Sequence, residues 1–105
     1  MFFGKVVGTV VSTQKDEGME GFKLLMVQHL SLDPENSQLL EKDSYVIAVD
    51  AVGAGHGDVV FGVAGSSARM TQQTLNRPVD NVISGIIDYV EVGGQMIYRK
   101  EADGA

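Results

Sequence analysis

The residue types in the middle of this chain suggest a hydrolytic triad. Carboxylate, imidazole and hydroxyl side chains follow one another at Asp50, His56, Asp58, Ser66 and Ser67. A serine nucleophile on a sharp turn needs glycine two places further on, and Gly65-Ser66-Ser67-Ala68 has none there. His56 stands between two glycines, where no neighbour in the sequence would fix its tautomer. We therefore expect no catalytic residue here, and Ser66 is sufficiently explained as a helix N-cap.

Glycine recurs at every second position of the same stretch, at Gly53, Gly55 and Gly57. A dinucleotide-binding loop would need glycine at position 58, which is Asp58, and would run from a strand into a helix. A strand-like run follows instead, and the chain has no Gly-Lys-Ser/Thr triplet of a P-loop. We therefore expect no cofactor, and interpret the glycines as a tight loop whose backbone can meet another surface closely.

Side chains that bind metals are few. The chain has two histidines, His29 and His56, and no cysteine. No loop has the alternating acidic residues of a calcium site, so the carboxylates are interpreted as solvated surface charge. The sequence predicts neither a metal site nor a disulfide.

Charge and hydropathy exclude further classes of function. The chain has 105 residues, with 8 Lys and Arg against 14 Asp and Glu, and a formal net charge of −6. Because phosphate neutralisation dominates nucleic-acid affinity, this balance argues against general DNA or RNA binding. The apolar runs are too short for a membrane-spanning helix, and no signal-peptide pattern is present. We expect a cytoplasmic protein with no membrane partner.

The first half of the chain predicts a hairpin of two long strands. Phe2 to Thr13 is rich in valine, with Gly4 and Gly8 on one face, and such a strand can coil as a small closed barrel needs. Phe22 to Leu32 alternates as a second strand. Its common apolar face is formed by Phe22, Leu24, Met26, Leu30 and Leu32. Between the two strands, residues 15–21 form a polar tip.

The second half predicts further strands and one short helix. The polar connection from Asp33 to Asp43 can hold one helical turn at 38–42. The third strand spans 44–50, with Tyr45, Ile47 and Val49 on one face. The fourth spans 58–64, with Val59, Phe61 and Val63 inward. A helix over 67–75 ends before Pro78, and a fifth strand covers 84–92.

Gly93-Gly94 then predicts a tight hairpin with a short return strand over 95–99. Five to six strands and one short helix indicate an all-β protein, a small closed OB-like β-barrel. We expect a single domain over 1–99 and a loose C-terminal tail over 100–105.

Three blocks of the sequence resemble a known family. Residues 49–69 read Val-Asp-Ala-Val-Gly-Ala-Gly-His-Gly-Asp, then a strand, then Gly-Ser-Ser-Ala-Arg. Residues 4–13 are similar to the family's first strand, residues 21–28 to its second, and Ile86-Ile87-Asp88 also fits. The pattern resembles the vertex proteins of bacterial microcompartments, the EutN/CcmL family of pentameric shell proteins.

The resemblance implies a structural role: an OB-like barrel that forms a homopentamer and closes the corners of an icosahedral shell around enzymes, beside hexameric shell proteins. It implies no catalytic activity. The residues expected at the subunit interface or pore loop are Gly53, Gly55, His56, Gly57, Asp58, Ser66, Ser67 and Arg69. Arg69, the cation near Asp50 and Asp58 in sequence, is expected to make an ion pair or backbone hydrogen bonds at or near the subunit boundary. Which enzymes the compartment encloses is left open.

Two alternatives remain at this point. The first is an OB-type module that binds a ligand or single-stranded nucleic acid, which would need a basic groove with exposed aromatic side chains. The second is an enzyme, for which the sequence offers no credible set of catalytic residues.

Overall fold

The computed structural model describes residues 1–11, 23–33, 35–36, 38–64 and 81–100. These residues form seven strands: β1 (Phe2–Val10), β2 (Leu24–Asp33), β3 (Gln38–Asp50), β4 (Val59–Ala64), β5 (Asn81–Ile86), β6 (Tyr89–Val92) and β7 (Gln95–Arg99). The first five close a barrel in the order β1-β2-β3-β5-β4, and β4 pairs back with β1. The all-β class and the closed barrel are thereby confirmed. The helix predicted over 67–75 lies outside the described residues.

The barrel closes along a short seam. β3 and β5 run parallel and pair only at Val49 with Val82 and at Asp50 with Ile83. The other pairings in the barrel, β1–β2, β2–β3, β1–β4 and β4–β5, are antiparallel. The predicted hairpin of the first two strands is confirmed by the β1–β2 ladder. Its tip, residues 15–21, lies outside the described part of the chain.

Each of the five barrel strands contributes apolar side chains to the core. The buried cluster consists of Phe2, Val6, Leu25, Val27, Ala48, Ala54, Val60 and Ile83. Ala54 is the only one of these eight that belongs to no strand, since it lies in the glycine-rich loop. This loop is therefore part of the hydrophobic core as well as of the surface.

The second strand does not have the single apolar face that its sequence predicted. Leu25 and Val27 face the core, while Leu24 and Met26 lie on the outside of the barrel. Leu30 is buried as well, because the β2–β3 register shifts between Gln28 and Leu30. An irregularity of this kind changes which face of a strand is covered, and the alternation of residue types did not reveal it. Phe22 lies outside the described residues.

The inward face predicted for the fourth strand is also wrong. Val60 joins the core cluster, and Phe61 lies on the opposite face, where its ring covers Gly85. The run Val59–Ala64 is apolar on both faces, so its pattern could not identify the inner one. Gly62 marks the inner face of β4 better than the apolar residues do, because the Phe2 ring occupies the space beside it in the barrel.

The third strand is much longer than expected, and the helical turn predicted at 38–42 is wrong. β3 begins at Gln38, which pairs with Asp33, and the ladder continues through Leu30 with Glu41. Nucleating one helical turn is unfavourable, whereas a strand here extends an existing ladder. The side-chain amide of Asn36 donates to Asp33 over 2.7 Å, and this hydrogen bond lowers the pKa of Asp33.

Tyr45, Ile47 and Val49 share a face of β3, as predicted, but this face is the outside of the barrel. Ala48, between Ile47 and Val49, lies in the core. Val49 is buried on the outside, in a second apolar cluster with Val82. Tyr45 and Ile47 are exposed. The outer wall of the barrel is therefore partly apolar.

The strand predicted over 84–92 is interrupted at residues 87–88, which separates β5 from β6. There the Ile87 N–H donates to the Val59 carbonyl oxygen over 2.8 Å. β6 and β7 form a separate antiparallel hairpin, and the turn predicted at Gly93–Gly94 is confirmed. Lys100 follows this hairpin and donates its N–H to the Asp88 carbonyl oxygen over 2.7 Å. The other residues of the predicted tail, 101–105, lie outside the described part of the chain.

Gly62 offers a direct test of the core arrangement. A Cβ at this position would overlap the Phe2 ring and the Val82 carbonyl oxygen, so we expect Gly62→Ala to lower the free energy of unfolding by about 1–3 kcal/mol. The matched control is Gly8→Ala in β1, where the nearest heavy atom to a new Cβ is Met26 Cβ at 4.0 Å. Urea unfolding followed by circular dichroism measures both variants. Equal midpoints for the two variants would contradict this packing.

Candidate functional site

The glycine-rich loop, residues 51–58, joins the end of β3 to the start of β4. Its shape is set by Asp50, the last residue of β3. Asp50 Oδ1 accepts hydrogen bonds from the backbone N–H groups of Val52, Gly53 and Ala54, at 3.1, 3.0 and 3.1 Å. The Asp50 side chain is only 3% exposed. One buried carboxylate therefore holds the first half of the loop, with bonds that are stronger than those between neutral groups.

Lys23, the residue before β2, binds the same half of the loop. Its Nζ donates to the Ala54 carbonyl oxygen over 2.9 Å and lies 3.7 Å from Asp50 Oδ2. In return, the Asp50 N–H donates to the Lys23 carbonyl oxygen over 2.9 Å. Asp50 thus has a cationic partner as well as backbone donors, which offsets the cost of burying its charge.

Asp58 holds the second half of the loop. The Gly55 N–H donates to Asp58 Oδ2 over 2.8 Å, and the Asp58 N–H donates to the Gly55 carbonyl oxygen over 3.1 Å. Two further backbone bonds fasten this half to β1: the Gly57 N–H donates to the Val6 carbonyl oxygen, and the Val6 N–H donates to that of Asp58. The loop is therefore bonded at both ends to the barrel.

Two of the three glycines are required by the backbone of the loop itself. Gly53 and Gly57 have φ values of 79° and 90°, in the left-handed region that other residues rarely adopt. Gly55 has no positive φ, and a Cβ there would meet only Asp58 Oδ2, at 3.9 Å. The fold of the single chain therefore explains Gly53 and Gly57 but does not explain Gly55.

The C-terminal hairpin is attached to this site through Asp58. Lys100 Nζ lies 3.6 Å from Asp58 Oδ1. Tyr98, in β7, also lies near this carboxylate, and burial together with the negative charge of Asp58 raises the pKa of the Tyr98 phenol. Asp58 therefore connects the loop, the barrel and the hairpin.

The candidate triad is not assembled among the described residues. Both carboxylates, Asp50 and Asp58, are bonded to loop backbone and to lysine side chains. His56 is exposed at the turn and forms no hydrogen bond or ion pair with another described residue. Ser66, Ser67 and Arg69 lie outside the described residues, so the roles predicted for them stay predictions.

Lys23 and Lys100 are the functional side chains that sequence reasoning missed. Arg69 was expected to supply the cation for Asp50 or Asp58 because it is near them in sequence. Arg69 lies outside the described residues, and among those described Lys23 lies against Asp50 and Lys100 against Asp58. The position of Lys23 at the start of the second strand was a usable signal, because β2 pairs with β3 beside Asp50. Lys100 gave no such signal.

Other polar groups of the described ranges form no separate site. The other histidine, His29, contacts Ser44 Oγ through Nδ1 at 2.9 Å and packs edge-on against Phe2. Within those ranges, no three His, Cys, Asp or Glu side chains are grouped as metal ligands. Nor do those ranges hold a helix that is long and apolar enough to cross a membrane.

Known proteins resemble this chain over nearly its whole length. The family model for ethanolamine utilisation protein EutN/carboxysome matches residues 1–88. The carboxysome shell vertex protein CcmL of Synechocystis sp. is 43% identical over 104 residues, which cover 99% of each chain. The bacterial microcompartment shell vertex protein GrpN of Rhodospirillum rubrum is 43% identical over 91 residues, which cover 87% of this chain and 97% of GrpN.

Solved structures agree with the sequence matches. CcmL of Gloeobacter violaceus superposes with a TM-score of 0.84 at 41% identity, covering 95% of this chain and 98% of that one. The structure of R. rubrum GrpN, described as a pentameric microcompartment shell protein, superposes with a TM-score of 0.74 and covers 88% of this chain and 100% of that one. With 88 residues matched by the family model and the barrel shared, the chain belongs to the EutN/CcmL family.

Proposed function

We propose that this chain is a structural shell protein whose homopentamers close the vertices of a bacterial microcompartment in the cytoplasm. One observation carries the proposal: relatives about 40% identical over nearly the full chain are named shell vertex proteins, and one is described as pentameric. The described residues support a building block rather than an enzyme, because both carboxylates of the candidate triad stabilise the loop. We propose that the chain has no catalytic activity of its own.

A ring of five requires two different surfaces on each subunit. In such a heterologous interface, one face of a subunit meets another face of its neighbour, and rotation closes the ring. Five chains of −6 each sum to about −30, so charge opposes assembly. Apolar contacts must supply the stability, and the partly apolar outer wall of this barrel offers them.

The glycine-rich loop is the proposed assembly site, together with the segment that contains Ser66, Ser67 and Arg69. Its backbone is fixed by Asp50 and Asp58, so it can present a defined shape to a neighbour. His56 at its tip is exposed and has no described partner. Gly55 is the residue that the single chain leaves unexplained, and close approach of a second backbone would account for it.

In the shell, the outer rim of the pentamer is proposed to contact hexameric shell proteins. Nucleic-acid binding is not favoured, even though Tyr45 and Tyr89 are exposed aromatics. The chain is acidic, whereas a groove for single strands is positively charged.

The mass of the purified protein tests the assembly. Five chains of 11.2 kDa give a ring of about 56 kDa. Because apolar burial is not screened by ions, we expect multi-angle light scattering to give this mass from low to high salt. A mass near that of one chain throughout would contradict the proposal. Dissociation at moderate salt would show that charge rather than apolar burial holds the ring together.

Gly55→Val tests the role of the loop in assembly. A Cβ at this position would meet only Asp58 Oδ2, at 3.9 Å, so we expect the subunit to keep the circular-dichroism spectrum of the folded barrel. In a ring, the added side chain would separate the backbones, and light scattering should detect subunits smaller than the pentamer.

The control is Glu35→Val, which adds the same side chain at an exposed turn between β2 and β3 and should leave the ring intact. If Gly55→Val forms pentamers as stable as those of the natural chain, the loop is not an assembly contact.

A further inference from the structure

The C-terminal hairpin, β6 and β7, forms a two-stranded sheet of its own outside the barrel. Every residue of its two strands is half-buried or exposed. β7 passes near β3, but among the described residues no strand ladder joins the hairpin to the barrel. A two-stranded hairpin is marginally stable by itself, and local opening is easiest where few apolar contacts are buried. The hairpin therefore depends on its attachments to the barrel for its position.

Polar attachments at the two ends of the hairpin converge on two neighbouring residues, Asp58 and Val59. Before β6, the Ile87 N–H donates to the Val59 carbonyl oxygen over 2.8 Å. After β7, Lys100 Nζ lies 3.6 Å from Asp58 Oδ1. Tyr98 lies close enough to Asp58 for that negative charge, together with burial, to raise the pKa of its phenol. The hairpin is thus attached at the point where the glycine-rich loop enters β4.

The Asp58 carboxylate binds the hairpin and the loop through different oxygens. Oδ1 faces Lys100, and Oδ2 accepts the Gly55 N–H over 2.8 Å. The Asp58 N–H donates in turn to the Gly55 carbonyl oxygen over 3.1 Å, and these two bonds close the turn that carries His56. Because both oxygens belong to one planar group, the cation that holds Oδ1 also fixes the direction of the oxygen that Gly55 uses.

We propose that Asp58 couples the position of the C-terminal hairpin to the order of the second half of the loop, residues 55–58. With the hairpin docked, Lys100 holds the carboxylate in the orientation that accepts the Gly55 N–H, and the turn at His56 is closed. When the hairpin moves away, the carboxylate is free to rotate and this turn opens. The first half of the loop, residues 52–54, stays closed because it is bonded to Asp50.

This coupling lies within one chain and does not depend on the proposed function. It acts in both directions, because a coupling free energy between two sites is reciprocal. The hairpin carries the exposed side chains of Tyr89 and Met96, and the loop carries that of His56. A contact that fixes the hairpin against the barrel therefore also favours the closed turn, and a contact that fixes the turn favours the docked hairpin.

Lys100→Met tests the coupling from the side of the hairpin, since it removes the charge and keeps a side chain of similar length. We expect the Gly55 and Asp58 amides to exchange about two- to fivefold faster with solvent, the range for a partly exposed ion pair. The amides of residues 52–54 should keep the rates of the natural chain. Hydrogen exchange followed by mass spectrometry with residue-level fragmentation measures both halves, at concentrations where light scattering gives the variant the mass of the natural chain.

Lys23→Met is the matched control, because Lys23 Nζ lies 3.7 Å from the carboxylate of Asp50, which holds the first half of the loop. It should accelerate exchange in residues 52–54 and leave the Gly55 and Asp58 amides unchanged. The amides of the β1–β2 ladder report global unfolding in every variant.

Gly57→Ala tests the coupling from the side of the loop. The φ of Gly57 is 90°, which is strained for alanine, so the second half should open. The amides of Ile87 and Lys100, which are hydrogen-bonded at the two ends of the hairpin, should then exchange faster. Gly53→Ala is the matched control, because its φ of 79° imposes the same strain in the first half and should leave these two amides unchanged.

Faster exchange in the hairpin alone after Lys100→Met would show that hairpin and loop are independent, and would overturn the proposal. Rates of the natural chain throughout would overturn it as well. Equal acceleration in both halves of the loop and in the β1–β2 ladder would indicate a general loss of stability instead of coupling. So would a response of Ile87 and Lys100 that is the same for Gly53→Ala and Gly57→Ala.

Discussion

The buried carboxylate of Asp50 is the interaction on which the rest of the structure depends. Asp50 pairs with Ile83 in the short parallel seam that closes the barrel. The same residue accepts three backbone N–H groups of the glycine-rich loop and lies beside the ammonium group of Lys23. Closure of the barrel, through the Asp50 backbone, and the shape of the loop, through the Asp50 side chain, therefore meet at one residue. A charge that is only 3% exposed is tolerated because its oxygens are bonded on both sides.

The loop is bonded along both of its halves as a consequence. Asp50 and Lys23 hold its first half, while Asp58 and the β1 backbone at Val6 hold its second half. Ala54, between the two, is fully buried in the core. Lys100 then joins the C-terminal hairpin to Asp58. A loop fixed in this way can serve as a recognition surface without ordering on contact, which keeps the entropic cost of assembly low.

The sequence predicted those features that local patterns control. The all-β class, the first hairpin, the position of the glycine-rich loop and the Gly93–Gly94 turn are confirmed, because alternation and glycine placement determine them directly. The inner face of β4 was predicted wrongly, because both faces of that strand are apolar and only the Phe2 ring distinguishes them. The helical turn predicted at 38–42 was wrong because pairing with β2 extends a strand through it.

The position of the candidate site in the chain could be predicted, but the side chains that contact it could not. The glycines and aspartates marked the loop, whereas Lys23, just before β2, and Lys100, just after β7, reach it from positions distant in sequence. Proximity in sequence pointed to Arg69, which lies outside the described residues. It could not point to Lys23 and Lys100, because a one-dimensional pattern does not show which strands become neighbours once the barrel closes. Conversely, the exposed apolar wall around Ile47 became evident only when the fold showed that this face of β3 points outward.

The bonded loop, the partly apolar outer wall and the acidic charge of this chain are the properties that the proposed ring requires of its subunit. The central claim is that such rings close the corners of a protein shell. Electron cryo-microscopy of shells produced by co-expressing this chain with a hexameric shell protein tests it most directly. The account predicts five copies of the barrel at each fivefold corner, and corners that stay open when the chain is omitted. Shells that close fully without this chain, or that hold it only in their interior, would contradict the account.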